Sequence, residues 1–249
     1  MLDLPVVNAG CRPYIRHVNS EMDIKVGAVV NPAGRRATNK ADKLHRITSA
    51  ARALFTEKGF DGTTMRDIAS HANVGFGTLF DYSSNKRDFL FLLFNPELER
   101  VLRESAAAAV NEPLFLDKMM AYFGGYYALY ARDCSIARAV LRELTFFSEG
   151  DEAQKFLGHR ARFLDMIVDQ VRLSMAVGEL RAGAPEPVAR IIFAIYAWEV
   201  RRWLAGNAPS VARGLTDLRE LLALQVAGFM RQPPSLRDRQ VPGEQQNAP

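Results

Sequence analysis

The sequence is poor in the residue types on which most catalytic and metal-binding sites depend. Its 249 residues include only two cysteines and four histidines. Cys11 and Cys134 lie far apart, which predicts reduced thiols and no disulfide framework. The histidines are not spaced as a metal-binding pair, and the sequence has neither a nucleophile elbow nor a Gly-rich phosphate loop after a strand. These absences argue against an enzyme, and we expect the protein to use no metal and no cofactor.

Long apolar runs are missing as well. The longest candidate for a membrane span, residues 191–198, lies between Arg190 and Glu199 and is too short to cross a bilayer. The first residues have neither a basic region nor an apolar run, so they do not resemble a secretory signal. We therefore expect a soluble, cytoplasmic protein without a membrane partner.

Sustained alternation of polar and apolar residues, the pattern of strands, is also absent, so we expect an all-α fold. The net charge is only +4, but its distribution is informative. From Arg35 to Leu90, ten lysines and arginines stand against six aspartates and glutamates, an excess of four that equals the whole net charge. Basic residues gathered in one small segment are what the neutralisation of DNA phosphates requires.

Residues 41–90 are the most informative segment of the chain. Apolar residues recur at three- and four-residue steps through residues 43–58, which predicts a first helix with Asn39 as its N-cap. Gly59 then provides a C-terminal stop. Thr64 is expected to cap a second helix, with Asp67 in the capping-box position.

A tight turn at residues 72–74 leads from the second helix into a third one, and the three together predict a helix-turn-helix. Such a unit presents one exposed helix to the DNA major groove. Val74 and Leu79 are assigned inward, which leaves the opposite face near the surface. Hydroxyls, ammonium groups and helix N-termini are the groups that usually hold the DNA backbone. We predict that the following residues contact DNA: Thr64, Arg66, Gly75, Phe76, Gly77, Thr78, Phe80, Asp81, Tyr82 and Lys86.

A purely structural three-helix unit is the alternative. Most residues of such a unit serve packing, and a threonine at position 64 would cap a helix in any protein. Lys86 argues for the functional interpretation, because a lysine in the first turn of a helix opposes the helix dipole and so suggests a purpose outside that helix.

Residues 43–93 resemble the DNA-binding domain of the TetR family of bacterial transcriptional regulators. The sequence departs from the family pattern at Gly75, where a serine cap is usual, at Phe80, where a phosphate-binding tyrosine is common, and at Ser83, where a core phenylalanine is common. The resemblance rests on the spaced pattern Gly59-Phe60, Thr64-x-x-x-Ile68-Ala69, Ala72-x-Val74, Gly77-Thr78-Leu79-x-x-Tyr82 and Asn85-Lys86.

The rest of the chain reads as helix almost throughout. After an N-terminal helix-turn-helix domain we expect a C-terminal helical domain for effector binding and dimerisation, with helices at about 86–110, 113–132, 135–147, 152–177, 185–204 and 210–230. Pro96 predicts a kink or a break near Phe94. The expected organisation is a flexible arm (1–36), the DNA-binding domain (37–93), the ligand-binding and dimerisation domain (94–231) and a disordered tail (232–249).

Aromatic residues are unusually dense between residues 115 and 166, on more than one helix face. Large apolar walls with a few hydroxyls are typical of a pocket for a small apolar or aromatic molecule, although such rings more often form a simple core. The residues that we predict to line the pocket are Phe123, Tyr126, Tyr127, Tyr130, Phe147, His159 and Phe163.

The last two helices carry more apolar surface than one small domain needs. The resemblance to TetR regulators implies that these helices pair with their copies in a four-helix bundle, and a self-complementary patch gives a two-fold dimer. Two DNA-binding domains then match the half-sites of a palindromic operator about 34–36 Å apart. The expected interface residues are Ile195, Trp198, Arg202, Leu218, Leu222 and Phe229.

The leading hypothesis is a homodimeric repressor that a small apolar or aromatic effector releases from its operator DNA. In this hypothesis the segment around Pro96 carries the motion from the effector to the DNA-binding domain. Two alternatives remain open from the sequence: a DNA-binding activator, and a regulator of the same fold that responds to no ligand.

Overall fold

The computed structural model describes residues 32–144, 149–206 and 209–229. These residues form eight α-helices and one short 3₁₀ helix, and no β-strand occurs among them, which confirms the all-α class. All contacts described below lie within one compact unit that begins at Lys40. The helices are α1 (Pro32–Gly62), α2 (Met65–His71), the 3₁₀ helix Phe76–Asp81, α3 (Lys86–Ala109), α4 (Phe115–Arg132), α5 (Cys134–Glu143), α6 (Asp151–Ala176), α7 (Pro185–Ala205) and α8 (Val211–Phe229).

The start of α1 differs from the prediction. The helix begins at Pro32, eleven residues before the predicted first residue Lys43, so Asn39 lies inside the helix and is not its N-cap. Its last turn is interrupted as predicted at Gly59, whose φ of 74° and ψ of 165° are not helical. Glycine tolerates this left-handed φ because it has no Cβ. The proposed arm lies mostly outside the described residues, as does the tail 232–249.

The predicted break near Phe94 is wrong, because α3 continues through Pro96 as one helix. Proline removes one backbone N–H donor from the helix, but tertiary packing compensates. Phe91, Phe94 and Leu98 on this helix are almost completely buried. The other helices agree with their predicted bounds to within two residues, except that α5 ends at Glu143 and residues 145–148 lie outside the described ones.

The body of the protein is a bundle in which α3 packs against α4 and α6, α6 against α7, and α8 against both α4 and α7. Gly214 permits a close approach of three helices in this bundle. A Cβ at that position would lie 2.7 Å from the side chains of both Trp203 and Tyr127. The three helices α4, α7 and α8 therefore meet at a point where only glycine fits.

Polar contacts join the helix-turn-helix domain to the bundle. Arg142 of α5 forms an ion pair with Asp61 at 2.8 Å, and Thr56 of α1 donates a 2.6 Å hydrogen bond to Asp133. Asp88, in the first turn of α3, is buried and accepts hydrogen bonds from the backbone N–H groups of Glu152 and Ala153 at 3.0 and 3.1 Å. The first turn of α3 thus caps the amino end of α6.

None of the described helices is both long enough and apolar enough to span a membrane. In the same part of the chain, no group of three histidine, cysteine, aspartate or glutamate side chains could hold a metal ion.

Candidate DNA-binding surface and effector cavity

The capping box that the sequence predicts at the start of α2 is present. The Thr64 hydroxyl oxygen accepts the Asp67 N–H at 3.1 Å, and the Asp67 carboxylate accepts the Thr64 N–H at 2.9 Å. The hydroxyl of Thr64 also donates to this carboxylate at 2.7 Å. These hydrogen bonds to the side chain and backbone of Thr64 hold the pKa of Asp67 below its usual value. The Thr64 proton is therefore already used within the cap, which gives this residue a structural role beside any contact with phosphate.

The turn between α2 and the 3₁₀ helix is closed by backbone hydrogen bonds. The N–H of Ala72 donates to Ile68 at 2.9 Å, and the N–H of Val74 donates to Ala69 at 3.0 Å. Asn73 between them has a φ of 52°, a left-handed conformation that asparagine tolerates better than most residues. This turn aims the next segment away from the domain core.

The predicted third helix is a 3₁₀ helix of six residues, Phe76–Asp81. Gly75 precedes it and provides no side-chain cap, which is the structural consequence of the missing serine. Leu79 is fully buried and anchors the segment, whereas Phe76 and Phe80 are 44% and 52% exposed. The two phenyl rings contact each other edge-on at 5.3 Å.

Exposed aromatic rings of this kind form a small apolar surface beside the basic residues of the domain. The Arg66 guanidinium lies 5.8 Å from the centre of the Phe76 ring. Gly77 is exposed and has open space where a Cβ would stand, while Thr78 is half-buried. Asp81 is exposed at the end of the segment. The predicted DNA-contacting residues from Arg66 to Asp81 thus lie on or next to one accessible surface.

Tyr82 and Lys86 are more engaged in the fold than the sequence suggested. The Tyr82 hydroxyl donates to the carbonyl of Lys40 at 3.3 Å. The Lys86 ammonium donates to the carbonyl of Phe60 at 2.8 Å and lies 4.4 Å from the centre of the Phe60 ring. A cation at the carboxyl end of α1 is favourable because helix carbonyls point there. These contacts agree with the expectation that Lys86 has a purpose outside its own helix, and they show a structural role that the sequence did not predict.

A cavity lies in the bundle between α3, α4, α5, α6 and α7. It encloses about 60 Å³ that the centre of a water molecule can occupy, which is room for a few waters. Of the predicted pocket residues, Tyr126, Tyr130, His159 and Phe163 line this cavity. Sequence reasoning missed further lining residues, among them Leu98, Phe156, Arg160, Phe193, Tyr196 and Arg201.

Two predicted pocket residues do not line the cavity. Phe123 is fully buried behind it, stacked on Tyr196 with ring centres 4.4 Å apart. Tyr127 packs against Trp203 at 4.8 Å, at the junction of α4, α7 and α8. For these two the simple core interpretation is the correct one. Phe147 lies outside the described residues.

The polar groups of the cavity are arranged as a short chain. The hydroxyl of Tyr126 and Nε2 of His159 are 2.9 Å apart, and Nδ1 of His159 is 3.7 Å from the Glu99 carboxylate. Burial lowers the pKa of His159. The Glu99 carboxylate opposes this shift, and the Arg162 cation, which is ion-paired with Glu99, adds to it. Burial also raises the pKa of the tyrosine hydroxyls, so near neutral pH Tyr126, Tyr130 and Tyr196 present uncharged hydroxyls to the cavity. The positive charge of the lining comes from Arg160 and Arg201.

The predicted dimer surface needs a correction on α8. Leu218 and Leu222 are fully buried inside the protomer, so their side chains are not available to a partner. Arg202 is engaged in ion pairs with Glu199 and Asp217 of its own chain. Ile195 and Phe229 are half-buried. Exposed apolar side chains do occur on α7 and α8, namely Ile191, Trp198, Leu221 and Leu224, with Trp198 69% and Leu224 75% exposed.

Comparison with known proteins agrees with the amino-terminal geometry. Residues 47–93 match the family of bacterial regulatory proteins called the tetR family. The chain is 38% identical over 63 residues to the HTH-type transcriptional regulator HbdR of Aromatoleum sp. (strain CIB), a match that covers 25% of this chain and 28% of that protein. It therefore spans little more than a quarter of HbdR.

Longer but weaker matches extend into the bundle. Over 191 residues the chain is 24% identical to the fatty acid metabolism regulator protein of Bacillus subtilis, covering 76% of this chain and 97% of that protein. The crystal structure of the regulator FadR from Bacillus subtilis in complex with stearoyl-CoA aligns with a TM-score of 0.61 at 22% identity. That alignment covers 74% of this chain and 98% of the other, and the fold of the two proteins is the same.

Proposed function

We propose that this chain, whose amino-terminal domain belongs to the tetR family of bacterial regulatory proteins, is a transcriptional repressor that a small apolar effector releases from DNA. The protein is a DNA-binding regulator and not an enzyme. The relatives that it resembles are regulators as well. It would act in the cytoplasm, where its operator is found. The exposed surface around the 3₁₀ helix Phe76–Asp81 would enter the major groove.

One observation carries the proposal of ligand response. Helix α3 runs without interruption from Lys86, which holds the end of α1, to Leu98, which lines the cavity. Any displacement of α3 at the cavity therefore reaches the DNA-binding domain through a single rigid element. Pro96 lies in this helix two residues before Leu98, at a position where one helical hydrogen bond is absent.

The small size of the cavity explains how an effector could act. A space that holds a few water molecules is too small for an acyl chain or a ring system, so binding requires the surrounding helices to move apart. An effector shifts an equilibrium only by its difference in affinity for the two conformations. In this proposal the cavity stays small in the DNA-binding form and the effector binds only an expanded form, which supplies that difference.

We propose a homodimer joined through α7 and α8, with Ile191, Leu221 and Leu224 at its centre. Trp198, which also lines a groove between α6 and α7, would lie at the edge of this interface. Exposed apolar residues on adjacent helices favour burial against a second copy. The two DNA-binding domains would then read a palindromic operator with half-sites about 34–36 Å apart, or farther if the spacing is longer. Sedimentation tests this directly: the native protein should be a dimer and Trp198→Arg a monomer at the same concentration.

Gel-shift titration on the DNA upstream of the protein's own gene tests the function. We expect specific binding that weakens steeply as salt rises, and release by a probe with a long apolar chain such as stearoyl-CoA, the ligand in the FadR structure. Binding that no apolar probe weakens would favour the ligand-independent alternative. An operator upstream of the promoter, combined with increased transcription, would favour an activator. Failure to bind any DNA specifically would contradict the proposal as a whole.

A further inference from the structure

A groove between α6 and α7 carries three arginines and no carboxylate. Arg160 on α6 and Arg190 and Arg201 on α7 line it, together with the aromatic rings of Phe193 and Trp198. The remaining lining side chains are apolar. We call this surface the arginine groove. It combines positive charge with aromatic faces, which is the chemistry that recognises an organic anion.

The arginine groove is continuous with the cavity. Arg160, Phe193, Ala197 and Arg201 line both of them, so these residues stand at the boundary between the cavity and the surface. The Arg160 guanidinium lies 5.3 Å from the centre of the Phe193 ring. A molecule whose apolar end entered the cavity here would keep its other end beside the two guanidinium groups.

The arginines of the groove differ from the ion-paired arginines elsewhere on the protein. Arg100, Arg142 and Arg202 have carboxylate oxygens within 3.1 Å. No ion pair joins Arg160, Arg190 or Arg201 to a carboxylate in the described part of the chain, and Arg201 instead donates to the carbonyl of Ala197 on its own helix at 2.7 Å. Three like charges in one groove repel each other, and an anion bound among them would relieve that repulsion.

We propose that the effector is an amphipathic organic anion, with its apolar part in the cavity and its anionic head group on Arg160 and Arg201 in the arginine groove. The inference rests on the proposed function and narrows the effector from any apolar molecule to one that carries a carboxylate or phosphate. Guanidinium groups bind either anion with paired hydrogen bonds. A cationic head group is excluded by repulsion, and a neutral one leaves the guanidinium charges without a counterion.

Four probes separate these possibilities, all used below their micellar concentrations. Decanoate, decan-1-ol and decyltrimethylammonium share one tail and differ in head-group charge, and stearoyl-CoA adds phosphate groups. Titration calorimetry measures binding, and the fluorescence anisotropy of labelled operator DNA measures release. We expect the two anions to bind and to release DNA, with the alcohol and the cation at least about tenfold weaker.

The variant Arg160→Ala/Arg201→Ala should weaken the two anions by about tenfold or more, since charge-assisted hydrogen bonds contribute more than neutral ones. It should leave the affinity for decan-1-ol unchanged. Arg160→Lys/Arg201→Lys keeps the charge and should retain part of the affinity. Arg172→Ala is the matched control. Arg172 is an exposed arginine on α6, like Arg160, but it lies outside the groove and pairs with Asp169 and Glu186.

Equal affinity for decanoate and decan-1-ol, or no effect of the double alanine variant, would overturn the proposal, as would the failure of both anions to bind. Release of the operator by decan-1-ol as well as by decanoate would retain the proposed function and reject the anionic head group. If the anions bind in an arginine-dependent way but do not release DNA, the anion site in the groove is retained and ligand-controlled repression is rejected.

Discussion

The DNA-binding domain and the helical body use their aromatic residues in opposite ways. In the DNA-binding domain, Phe76 and Phe80 lie on the surface, each about half exposed. In the body, Phe123 and Tyr196 stack inside the bundle with their ring centres 4.4 Å apart. An exposed phenyl ring contributes little to the stability of its own domain, so rings at the surface point to a contact with another molecule.

The two regions also differ in what holds them in position. The body is joined by interlocking rings and by the close approach at Gly214. The DNA-binding domain is tied to it by polar contacts such as Arg142 with Asp61 and Thr56 with Asp133. Exposed polar contacts contribute about 1 kcal/mol or less each, whereas buried rings contribute several times more. We therefore expect the exposed contacts of Asp61 and Thr56 with α5 and Asp133 to break more easily than the packing inside the body.

We expect the largest change in stability when a buried ring is replaced by alanine, and almost none when an exposed ring is replaced. Phe123→Ala should lower the free energy of unfolding by about 3–5 kcal/mol, because it leaves a void in the aromatic cluster. Phe80→Ala should change it by no more than about 0.5 kcal/mol and should weaken operator binding. Denaturant unfolding measures the first and anisotropy the second. Similar losses of stability in both variants would abolish the contrast.

A smaller effect is expected at the contact between α3 and α6. Gly150 has a φ of 103°, and a Cβ there would lie 2.5 Å from the Asp88 carboxylate that caps α6. Gly150→Ala should therefore lower the free energy of unfolding by about 2–3 kcal/mol, because it strains the backbone and removes the cap. The control is Gly158→Ala inside α6, where the Cβ meets no atom within 4 Å and where alanine favours the helix by about 0.5–1 kcal/mol. Equal thermal shifts in the two variants would argue against the cap.

Lys86→Ala should lower the free energy of unfolding by about 1–2 kcal/mol, because it removes the hydrogen bond to the Phe60 carbonyl and the contact with the Phe60 ring. Operator binding should fall at the same time. Lys58→Ala removes the same charge from an exposed position and should leave stability unchanged. If both variants unfold like the native protein, Lys86 does not brace α1.

The smallest expected effect is a change in how stability depends on pH, and it comes from His159. Burial holds the pKa of His159 below the 6.5 of a free imidazole, so the unfolded chain takes up this proton more readily than the folded one. The stability due to His159 is complete above pH 6.5 and is lost as the pH falls from 6.5 towards the lower pKa of the folded state. His159→Gln should flatten the stability curve in this window, by less than the effects above. An unchanged slope would show that His159 is not the group responsible.

The features that the sequence predicted correctly depend on neighbours along the chain. The capping box of Thr64 and Asp67 spans four residues, and the break at Gly59 depends on one residue, so both can be read from local preferences. The order of such local features is also what identified the helix-turn-helix.

The features that the sequence did not predict are contacts between residues far apart in the chain. Lys86 bonds to a residue 26 positions earlier, and Asp88 caps a helix more than sixty positions later. Leu222 and Leu224 lie close together on α8, but one is buried and the other is 75% exposed. Only the packing of α8 against α4 and α7 decides this, so a count of apolar residues could not separate the core from an interface. The arginine groove was missed for the same reason.

Operator binding as a function of salt, measured by anisotropy for the native protein and for Phe76→Ala/Thr78→Ala, tests the DNA-binding surface most directly. The native protein should bind its upstream DNA far more tightly than unrelated DNA, with the logarithm of affinity falling linearly with the logarithm of salt. The variant should keep its stability and lose the preference for the operator. A variant that binds the operator like the native protein would contradict the assignment of this surface to DNA.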